Sequence, residues 1–447
     1  MTEMSRREFL ETSGRTALGV GLGAMVAGAE FPRSAEAAPR RLGANDKIIM
    51  GCIGMGGMGM GNMGSFLGQP DVEVIAVCDV DSGRMANAAA EVEKRTGKRP
   101  QEIHDFRKLL EIKEIDAVSI ATPDHWHALP MIMAAEAGKD VYLEKPISHD
   151  ITEAKCMVAA AKKFGTVVQC GTWQRSTQHF VDCNSFIHSG KLGKIRVCRA
   201  WTLGGGGVGK VAPSEPPKEL DYDFWVGPAK FEPFRPNACH GSFRWFFNFA
   251  AGLTGDWGAH MLDTVLQGMR DWHPLEVASY GGKLVAGEDD DRTTPDTQIA
   301  VFKFSDWLLQ WEIHVGDPGL DGGGHHGAEF IGDSGILRVD RGGVSYTPKG
   351  EKQKEGPTTV DKLTSDHWRN FLDCVKSREL PRSDIYSMAY SNALCHLANL
   401  TYLIGRSVKW DGAKQEVVGD KKAMECQSYY REYRKPWKLP RYDREKA

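Results

Sequence analysis

The sequence predicts an α/β protein with a doubly wound parallel sheet in its N-terminal half and a second α/β domain after it. A buried apolar run, Lys47–Ile53, is followed at once by a glycine cluster, Gly54–Gly59. Strand-like apolar runs and helical segments then alternate up to Cys170. Such alternation is typical of βαβ units, which bind ligands at the carboxyl ends of their strands. Beyond Gly171 several runs alternate apolar and polar residues, which indicates an antiparallel sheet covered on one face.

The first domain is predicted to span residues 46–170, the second 171–410, and a polar, charged tail 411–447. Strands of the first domain are expected at 47–53, 74–78, 117–121, 141–143 and 166–170, with helices at 127–138 and 152–164. Strands of the second domain are expected at 194–203, 297–304, 308–315 and 328–331, with helices at 366–378 and 385–405. The tail is expected to lie over the surface.

The glycine cluster fits the G-x-G-x-x-G pattern of a dinucleotide site. Gly54 allows a tight turn, Gly56 lets the backbone approach a pyrophosphate, and Gly59 lets the next helix pack against the strand. Asp79 follows at about 20 residues, where a carboxylate accepts a hydrogen bond from a ribose hydroxyl. A helix N-cap or a turn is the alternative role for this residue. Because Asp79 would repel a 2′-phosphate, NAD is favoured over NADP, and Arg84 is near enough to weaken that preference.

Lys145 is the candidate catalytic residue. It follows the strand-like run 141–143 in Glu144-Lys145-Pro146, downstream of the glycine cluster. A lysine held between an acid and a proline at the carboxyl end of a strand faces a dinucleotide bound there. It can transfer a proton while a nicotinamide transfers a hydride, which predicts redox chemistry at a hydroxyl or carbonyl carbon.

These motifs together resemble the glucose–fructose oxidoreductase, inositol dehydrogenase and rhizopine catabolism family (Gfo/Idh/MocA). The resemblance rests on the glycine run 54–59, on Ala121–His127 and on Glu144–Pro146, and covers residues 46–410. It implies an N-terminal Rossmann domain, a C-terminal α/β domain with a large, mostly antiparallel open sheet, and Lys145 as the catalytic lysine. Family members use NAD or NADP to oxidise or reduce sugars and cyclitols. The implied cofactor-binding residues are Gly54, Gly56, Gly59, Asp79, Thr122, Pro123, His127, Glu144, Lys145 and Pro146.

The chain departs from the family pattern at Asp124, where the family usually has Asn. A further acid beside the cofactor can alter the affinity for the cofactor or the pKa values of its neighbours.

Asp256 and His260 are the candidate partners of Lys145 in the second domain. They are four residues apart, so on a helix they share one face. The resemblance implies that they line the substrate pocket opposite the lysine, with His260 as a proton carrier. From the residues alone, Asp256 also fits a helix N-cap and His260 a core histidine. The spacing offers no third ligand, so no metal site is predicted.

Aromatic and basic side chains near the expected cleft are candidates for binding a sugar. Trp173 and Arg175 follow the strand that ends near Gly171, and His240 and Arg244 lie in an aromatic, basic stretch. The predicted substrate contacts are Trp173, Arg175, His240 and Arg244. Another group, His314, His325 and His326, flanks a glycine-rich stretch, where a surface loop is favoured over a metal site.

Residues 1–40 are predicted to be an export signal outside the fold. Ser5–Leu10 matches the twin-arginine pattern, a weakly apolar stretch follows at 17–29, and Ala35–Ala37 is a small-x-small cleavage site. The apolar stretch is too short and too rich in glycine to span a membrane. We therefore expect a mature protein starting near Ala38, a transient partnership with the twin-arginine translocase, and a periplasmic or otherwise exported location.

Composition excludes several other classes of partner and structure. The net charge of -3 gives no reason to expect nucleic acid or an anionic membrane as partner. The 10 cysteines show neither C-x-x-C nor metal-knuckle spacing, so neither a disulfide framework nor a structural zinc is predicted. An open sheet face needs a cover, so a homodimer or homotetramer is expected.

The sequence favours an NAD(P)-dependent oxidoreductase acting on a sugar or polyol. An exported enzyme meets no free NAD pool, so we expect a tightly bound cofactor that is recycled in place by a second carbonyl substrate. Two alternatives stay open. A glycoside hydrolase without net redox change would oxidise a sugar, eliminate its aglycone and reduce the sugar again. A cofactor-bound sugar sensor would perform no turnover.

Overall fold

The computed structural model describes residues 42–43, 46–316, 325–352 and 366–442. The predicted export signal and its cleavage site lie outside these residues. No helix of the described part is both long and apolar enough to cross a membrane.

Within residues 46–316, six parallel strands form the first sheet, in the order β3-β2-β1-β4-β5-β6. The order reverses between β1 and β4, and the carboxyl ends of these two strands form the crevice where doubly wound sheets bind ligands. The predicted Rossmann sheet is therefore confirmed. The strands are β1 (Ile48–Ile53), β2 (Val72–Cys78), β3 (Gln101–Ile103), β4 (Ala117–Ile120), β5 (Asp140–Leu143) and β6 (Val168–Cys170).

Helices connect these strands and cover both faces of the sheet. Aspartate side chains accept hydrogen bonds from amides of the first turn, Asp81 from Arg84 and Asp150 from Glu153, and so begin two of the helices. Caps of this kind fix where each helix starts relative to the strand before it. The helices are α1 (Gly57–Leu67), α2 (Ser82–Thr96), α3 (Phe106–Leu110), α4 (Ala128–Glu136) and α5 (Ile151–Phe164).

Nine strands of the described residues form the second sheet, in the order β13-β12-β11-β7-β10-β9-β8-β14-β15. Neighbours are antiparallel except β7 and β10, which run parallel. The mostly antiparallel sheet is therefore confirmed. The strands are β7 (Ile195–Thr202), β8 (Glu276–Gly282), β9 (Thr297–Lys303), β10 (Leu308–His314), β11 (His326–Gly332), β12 (Gly335–Asp340), β13 (Gly343–Pro348), β14 (Val408–Asp411) and β15 (Glu416–Val417).

One face of the second sheet is covered by helices and the other is open. Trp311, Phe302 and Phe330 point to the helical side and are fully buried. Strand β9 alternates buried and exposed residues, and its opposite face presents Ile299 and Val301 to solvent. The helices of this domain are α6 (Gln178–His188), α7 (Tyr222–Val226), α8 (Gly252–Asp256), α9 (Gly258–Met269), α10 (Asp366–Ser377) and α11 (Ile385–Ile404).

The C-terminal part of the chain returns to the Rossmann domain. Trp368 and Phe371 of α10 pack with the core around β1 and β5 instead of with the second sheet. The segment after 411 was expected to lie over the surface, but parts of it are buried in the fold. Strand β15 extends the second sheet, and the Arg431 guanidinium is buried against Glu153 of α5 at 2.8 Å. The 10 cysteines are free thiols, and all except Cys426 are buried.

Candidate active site

A turn that only glycine can form lies at the base of the cleft. Gly54 has φ +82°, and a Cβ there would lie 2.7 Å from the Thr122 amide nitrogen. A Cβ on Gly59 would lie 1.8 Å from the Gly54 carbonyl oxygen, and one on Gly56 would lie 2.9 Å from an Arg84 nitrogen. At these three glycines the backbone therefore faces the crevice directly, and the Arg84 guanidinium lies beside it. This cradle fits a dinucleotide pyrophosphate.

Asp79 stands immediately after β2, at the edge of this cradle. Its carboxylate accepts hydrogen bonds from the Met55 amide at 2.6 Å and from the Asp81 amide at 2.9 Å. Burial raises the pKa of Asp79, although those two amides and Arg84 favour the ionised form. The carboxylate and Arg84 both line the cleft, so an acceptor for ribose hydroxyls and a cation for phosphate lie side by side.

Glu144 links the end of β5 to α1 by hydrogen bonds. Its Oε1 accepts a hydrogen bond from Asn62 Nδ2 at 3.0 Å, and its Oε2 accepts one from the Lys145 amide at 3.3 Å. Burial raises the pKa of the Glu144 carboxyl. A Cβ on Gly171 would lie 2.6 Å from Glu144 Oε1, so the neighbouring strand leaves just enough room for this carboxyl.

His127 joins the two strand ends that carry the site. Its Nδ1 lies 2.6 Å from the Pro146 carbonyl oxygen and its Nε2 lies 2.8 Å from the Thr122 carbonyl oxygen. The side chain is 1% exposed. Thr122 and Pro123 line the cleft. The imidazole is buried outside the lining of the cleft, where it holds the backbone at Thr122 and Pro146. This placement favours a positioning role for His127 over the predicted contact with the cofactor.

Lys145 and Asp256 form an ion pair across the domain boundary. Lys145 Nζ donates to Asp256 Oδ1 and, at 3.4 Å, to the Asp256 carbonyl oxygen. Their side chains are 17% and 18% exposed. Burial opposes ionisation of Asp256, but Lys145 and Arg244 outweigh it and hold the pKa of this carboxyl below its usual value. An ionised carboxylate is thus fixed against the lysine amine at the inner end of the cleft.

Asp124 is a second carboxyl in the same part of the cleft. It is buried at the start of the turn that follows β4. Burial and the nearby charge of Asp256 raise the pKa of Asp124 to about 7, against the opposing effect of Arg244 and Lys145. Near neutral pH the carboxyl is therefore partly protonated, and in that form it donates a hydrogen bond as the amide of the family's Asn would.

Asp256 and His260 were expected on one helix, but they lie on either side of a break at Trp257. Helix α8 ends at Asp256, and α9 begins at Gly258 after Trp257. His260 is buried, and its Nδ1 has no hydrogen-bond partner in the described structure. Burial, with Lys145 and Arg341 nearby, lowers the pKa of His260 well below its usual value. The imidazole is therefore neutral, which favours a hydrogen-bonding role over that of a proton carrier.

Two of the expected substrate contacts are part of the packed interior. Arg175 Nε and Nη2 donate to the two oxygens of Asp263 at 2.9 and 2.6 Å, and its Nη1 donates to Ser387 Oγ at 2.7 Å. The Arg175 side chain is 4% exposed. Trp173 donates to the Tyr142 hydroxyl at 3.0 Å and packs beside the core of the first domain. The hydrogen-bond donors of Arg175 and Trp173 are bonded to other residues of the protein. This corrects the expectation that these two residues contact the substrate.

The other two expected contacts line the cleft at different places. His240 Nε2 lies 3.0 Å from Asp81 Oδ2, beside the ribose end of the cradle, so the structure does not bring it to Lys145. Arg244 Nε lies 3.7 Å from Asp256 Oδ2, beside the ion pair with Lys145. Of the four, only Arg244 lies where a substrate would react.

Sequence reasoning missed a group of side chains beyond Asp256. The His326 ring centroid is 4.3 Å from that of Trp257, and the Arg341 guanidinium is centred 4.6 Å from the Trp257 ring. His326 begins β11, although it was expected in a surface loop. Arg341 lies in the turn between β12 and β13. Only the position of Trp257, between Asp256 and His260 in the chain, could have pointed to this group.

The cleft has a volume of about 430 Å³ and extends from the glycine turn to Lys145 and Asp256. Among the described residues, no group of three His, Cys, Asp or Glu side chains could hold a metal ion. A dinucleotide cradle that leads to a lysine–aspartate pair is an arrangement that suits hydride transfer coupled to proton transfer.

Comparison with known proteins assigns this site to a family. Residues 48–172 match "Oxidoreductase family, NAD-binding Rossmann fold" of Gfo/Idh/MocA, and residues 187–280 match "Oxidoreductase family, C-terminal alpha/beta domain". Both matched models are those of the Gfo/Idh/MocA oxidoreductases, the family that the motifs resemble.

Curated relatives resemble part of the chain. A scyllo-inositol 2-dehydrogenase (NAD(+)) of Bacillus subtilis is 32% identical over 126 residues, which are 28% of this chain and 35% of that protein. A glycosyl hydrolase family 109 protein of Shewanella pealeana is 29% identical over 177 residues, 36% of this chain and 38% of that one. The chain thus spans well under half the length of these relatives.

A solved structure extends the likeness of fold to both domains. Scyllo-inositol dehydrogenase from Lactobacillus casei, with bound NAD(H) and scyllo-inositol, has a TM-score of 0.59 and 17% identity. The match covers 81% of this chain and 99% of that one.

Proposed function

We propose that this protein is an NAD(P)-dependent oxidoreductase that acts on a CH–OH group of a sugar or polyol. The observation that carries the proposal is the Lys145–Asp256 pair at the inner end of a cleft floored by the glycine turn. The cradle supports a bound dinucleotide, and the lysine supports proton transfer beside it. Relatives named inositol dehydrogenases support the class of substrate.

In this proposal Lys145 exchanges the proton of the substrate hydroxyl. Bound NAD would supply the hydride acceptor. In the reduction direction the Lys145 ammonium, paired with Asp256, donates a proton to the substrate carbonyl oxygen. In the oxidation direction Lys145 first releases one proton to solvent; the free amine then takes the hydroxyl proton, and the ionised Asp256 stabilises the ammonium that results. His260, which is neutral, orients the hydroxyl by a hydrogen bond. Holding these groups around one carbon lowers the entropic part of the barrier.

We propose NAD as the preferred cofactor. The Asp79 carboxylate at the ribose edge disfavours a 2′-phosphate. Arg84 lies against Gly56, where it would meet the pyrophosphate, so it does not reverse that preference. Dissociation constants for NAD and NADP test this choice, and a lower value for NADP would overturn it.

We further propose export by the twin-arginine route, a cofactor held tightly and recycled in place, and a dimer or tetramer. The arginine pair and the small-x-small site near Ala37 support export. Tight binding follows from export, because a released cofactor would be lost. The open face of the second sheet, with apolar Ile299 and Val301, supports association of subunits.

Replacing Lys145 by Ala tests the proposal directly. We expect turnover to fall by at least about 10²-fold, because the proton acceptor is lost, while NAD remains bound. Bound NAD is measured by denaturing the purified protein and assaying the supernatant. Lys162→Ala, at an exposed position of α5, is the matched control and should leave turnover unchanged. Full activity of Lys145→Ala would refute the mechanism, and absence of turnover in the unaltered protein with intact NAD would favour a sensor.

A redox-neutral glycoside hydrolase is the second candidate, supported by the similarity to glycosyl hydrolase family 109 proteins. The same cleft would serve both, because a hydrolase of this type also oxidises and then reduces the sugar. A panel of free sugars and aryl glycosides separates the two. A ketosugar or lactone product supports the oxidoreductase, and aglycone release without net NADH supports the hydrolase.

A further inference from the structure

A group of polar side chains beyond the ion pair surrounds one tryptophan. The Trp257 cluster consists of Trp257, His260, His326 and Arg341, which come from the α8–α9 junction, α9, β11 and the β12–β13 turn. Ring centroids of the two histidines lie 6.0 and 4.3 Å from that of Trp257. Two parts of the chain that are far apart in sequence, 257–260 and 326–341, thus converge next to Asp256.

Three buried polar atoms of this cluster lack a hydrogen-bond partner in the described structure. His260 Nδ1, His326 Nε2 and Arg341 Nε form no hydrogen bond there. Arg341 also forms no ion pair with a described carboxylate, and its guanidinium packs on the Trp257 ring at 4.6 Å. Buried polar atoms are normally satisfied, so each of these three atoms is expected to meet a water or a ligand. Trp257, His326 and Arg341 are half-buried, so a ligand can reach them.

The charges around Asp256 point to the sign of that ligand. Lys145, Arg244 and Arg341 all act on this one carboxylate. Asp124 carries only part of a charge at neutral pH, because burial raises its pKa to about 7. Burial also lowers the pKa of His326 to about 4, so the cluster's own charge is that of the arginine. Asp340 also acts on His326. It forms no ion pair with Arg341 within the described ranges, so the guanidinium can pair with an anionic group of the substrate.

We propose that the Trp257 cluster is a subsite for a carboxylate carried by the substrate, with Arg341 as its main contact. A guanidinium held flat on an aromatic ring presents its edge to a carboxylate, which it binds with two parallel hydrogen bonds. The substrate class is therefore a sugar acid, such as a uronate, whose reacting hydroxyl reaches Lys145. This inference rests on the proposed function and narrows its substrate.

The test compares glucuronate with glucose as ligands of the NAD-bound full-length protein. Calorimetry measures binding, and NADH formation measures turnover. We expect glucuronate to bind at least about 10-fold more tightly than glucose, since charge-assisted hydrogen bonds contribute about 1.5–3 kcal/mol. Arg341→Gln should remove that preference and leave glucose binding within about 2-fold, and Arg341→Lys should keep part of it. Lys349→Gln removes a charge from the open end of the same hairpin and should change neither.

The outcomes separate the subsite from the enzyme class. Equal binding of the two sugars by the unaltered protein, or an equal loss for both in Arg341→Gln, would overturn the subsite. Binding of glucuronate through Arg341 without any turnover would keep the subsite and contradict the proposed oxidoreductase. Turnover of glucose that Arg341→Gln does not change, without any binding of glucuronate, would keep the proposed oxidoreductase and contradict the subsite.

Discussion

The cofactor side and the substrate side of the cleft are formed by different parts of their residues. The cofactor side is mainly backbone: the turn at Gly54–Gly59 and the strand ends at Thr122 and Pro146. The substrate side is made of side chains, with Asp256 and Arg341 brought from separate segments. Backbone sites depend on a few residues that no other residue type can replace. A site built from side chains can be altered one group at a time. We therefore expect single substitutions to abolish the function of the cofactor side, and to change the function of the substrate side only in part.

The largest effect is expected on the backbone side. Gly59→Ala places a Cβ 1.8 Å from the Gly54 carbonyl oxygen, so the turn must open. We expect no cofactor in the purified variant and a loss of about 3 kcal/mol or more in the free energy of unfolding. Gly61→Ala, in the same helix with open space around its Cβ, should retain the cofactor and be slightly stabilised. If Gly59→Ala still carries its cofactor, the backbone cradle is not what binds it.

The next effect tests whether Arg175 belongs to the interior or to the substrate side. Breaking its buried pair with Asp263 by Arg175→Met should cost about 3–5 kcal/mol of unfolding free energy, because a buried carboxylate loses its cation. Urea unfolding measures this, with the exposed pair of Arg196 and Asp333 as control, where Arg196→Met should have no measurable effect. A stable Arg175→Met variant with a raised KM would indicate instead that this arginine contacts the substrate.

The smallest effect lies at Asp124, where the two sides meet. An unfolded aspartate ionises near pH 3.8 and the folded one at about 7. The folded protein therefore loses stability as the pH rises from 3.8 to 7, whereas Asn at this position does not titrate. One pKa unit corresponds to about 1.4 kcal/mol, so the shift from 3.8 to about 7 sets an upper limit of about 4.5 kcal/mol. Relaxation around the buried carboxylate reduces this limit, and we expect Asp124→Asn to be more stable at pH 8 by on the order of 2 kcal/mol. Below pH 4 the gain in the free energy of unfolding should vanish. An equal gain at pH 8 and below pH 4 would show that the raised pKa of Asp124 is not its cause.

The sequence predicted the cofactor side well because that side is encoded locally. The glycine spacing, Asp79 and the strand before Lys145 are each readable within a few residues. Strands of the first sheet are buried on both faces, and their uninterrupted apolar runs matched the structure to within a few residues.

The substrate side was harder to predict because its parts meet only after the second sheet has formed. Strand β8 contains glycines and β12–β13 is a short hairpin, so neither gave a clear pattern, and Arg341 lies in the turn of that hairpin. Arg175 resembled a binding residue in sequence because its partner Asp263 is 88 positions away. Long-range pairing of this kind leaves no local signal.

The buried pair between Arg431 and Glu153 has a consequence for the order in which the chain folds. Glu153 belongs to the first domain, but the guanidinium that neutralises it is made 278 residues later. The Tyr433 hydroxyl, from the same late segment, donates to this carboxylate at 2.7 Å. During synthesis the Rossmann domain would therefore hold a carboxylate that still awaits its cation, and such a charge resists burial. The first domain is completed only after a further 278 residues have been synthesised.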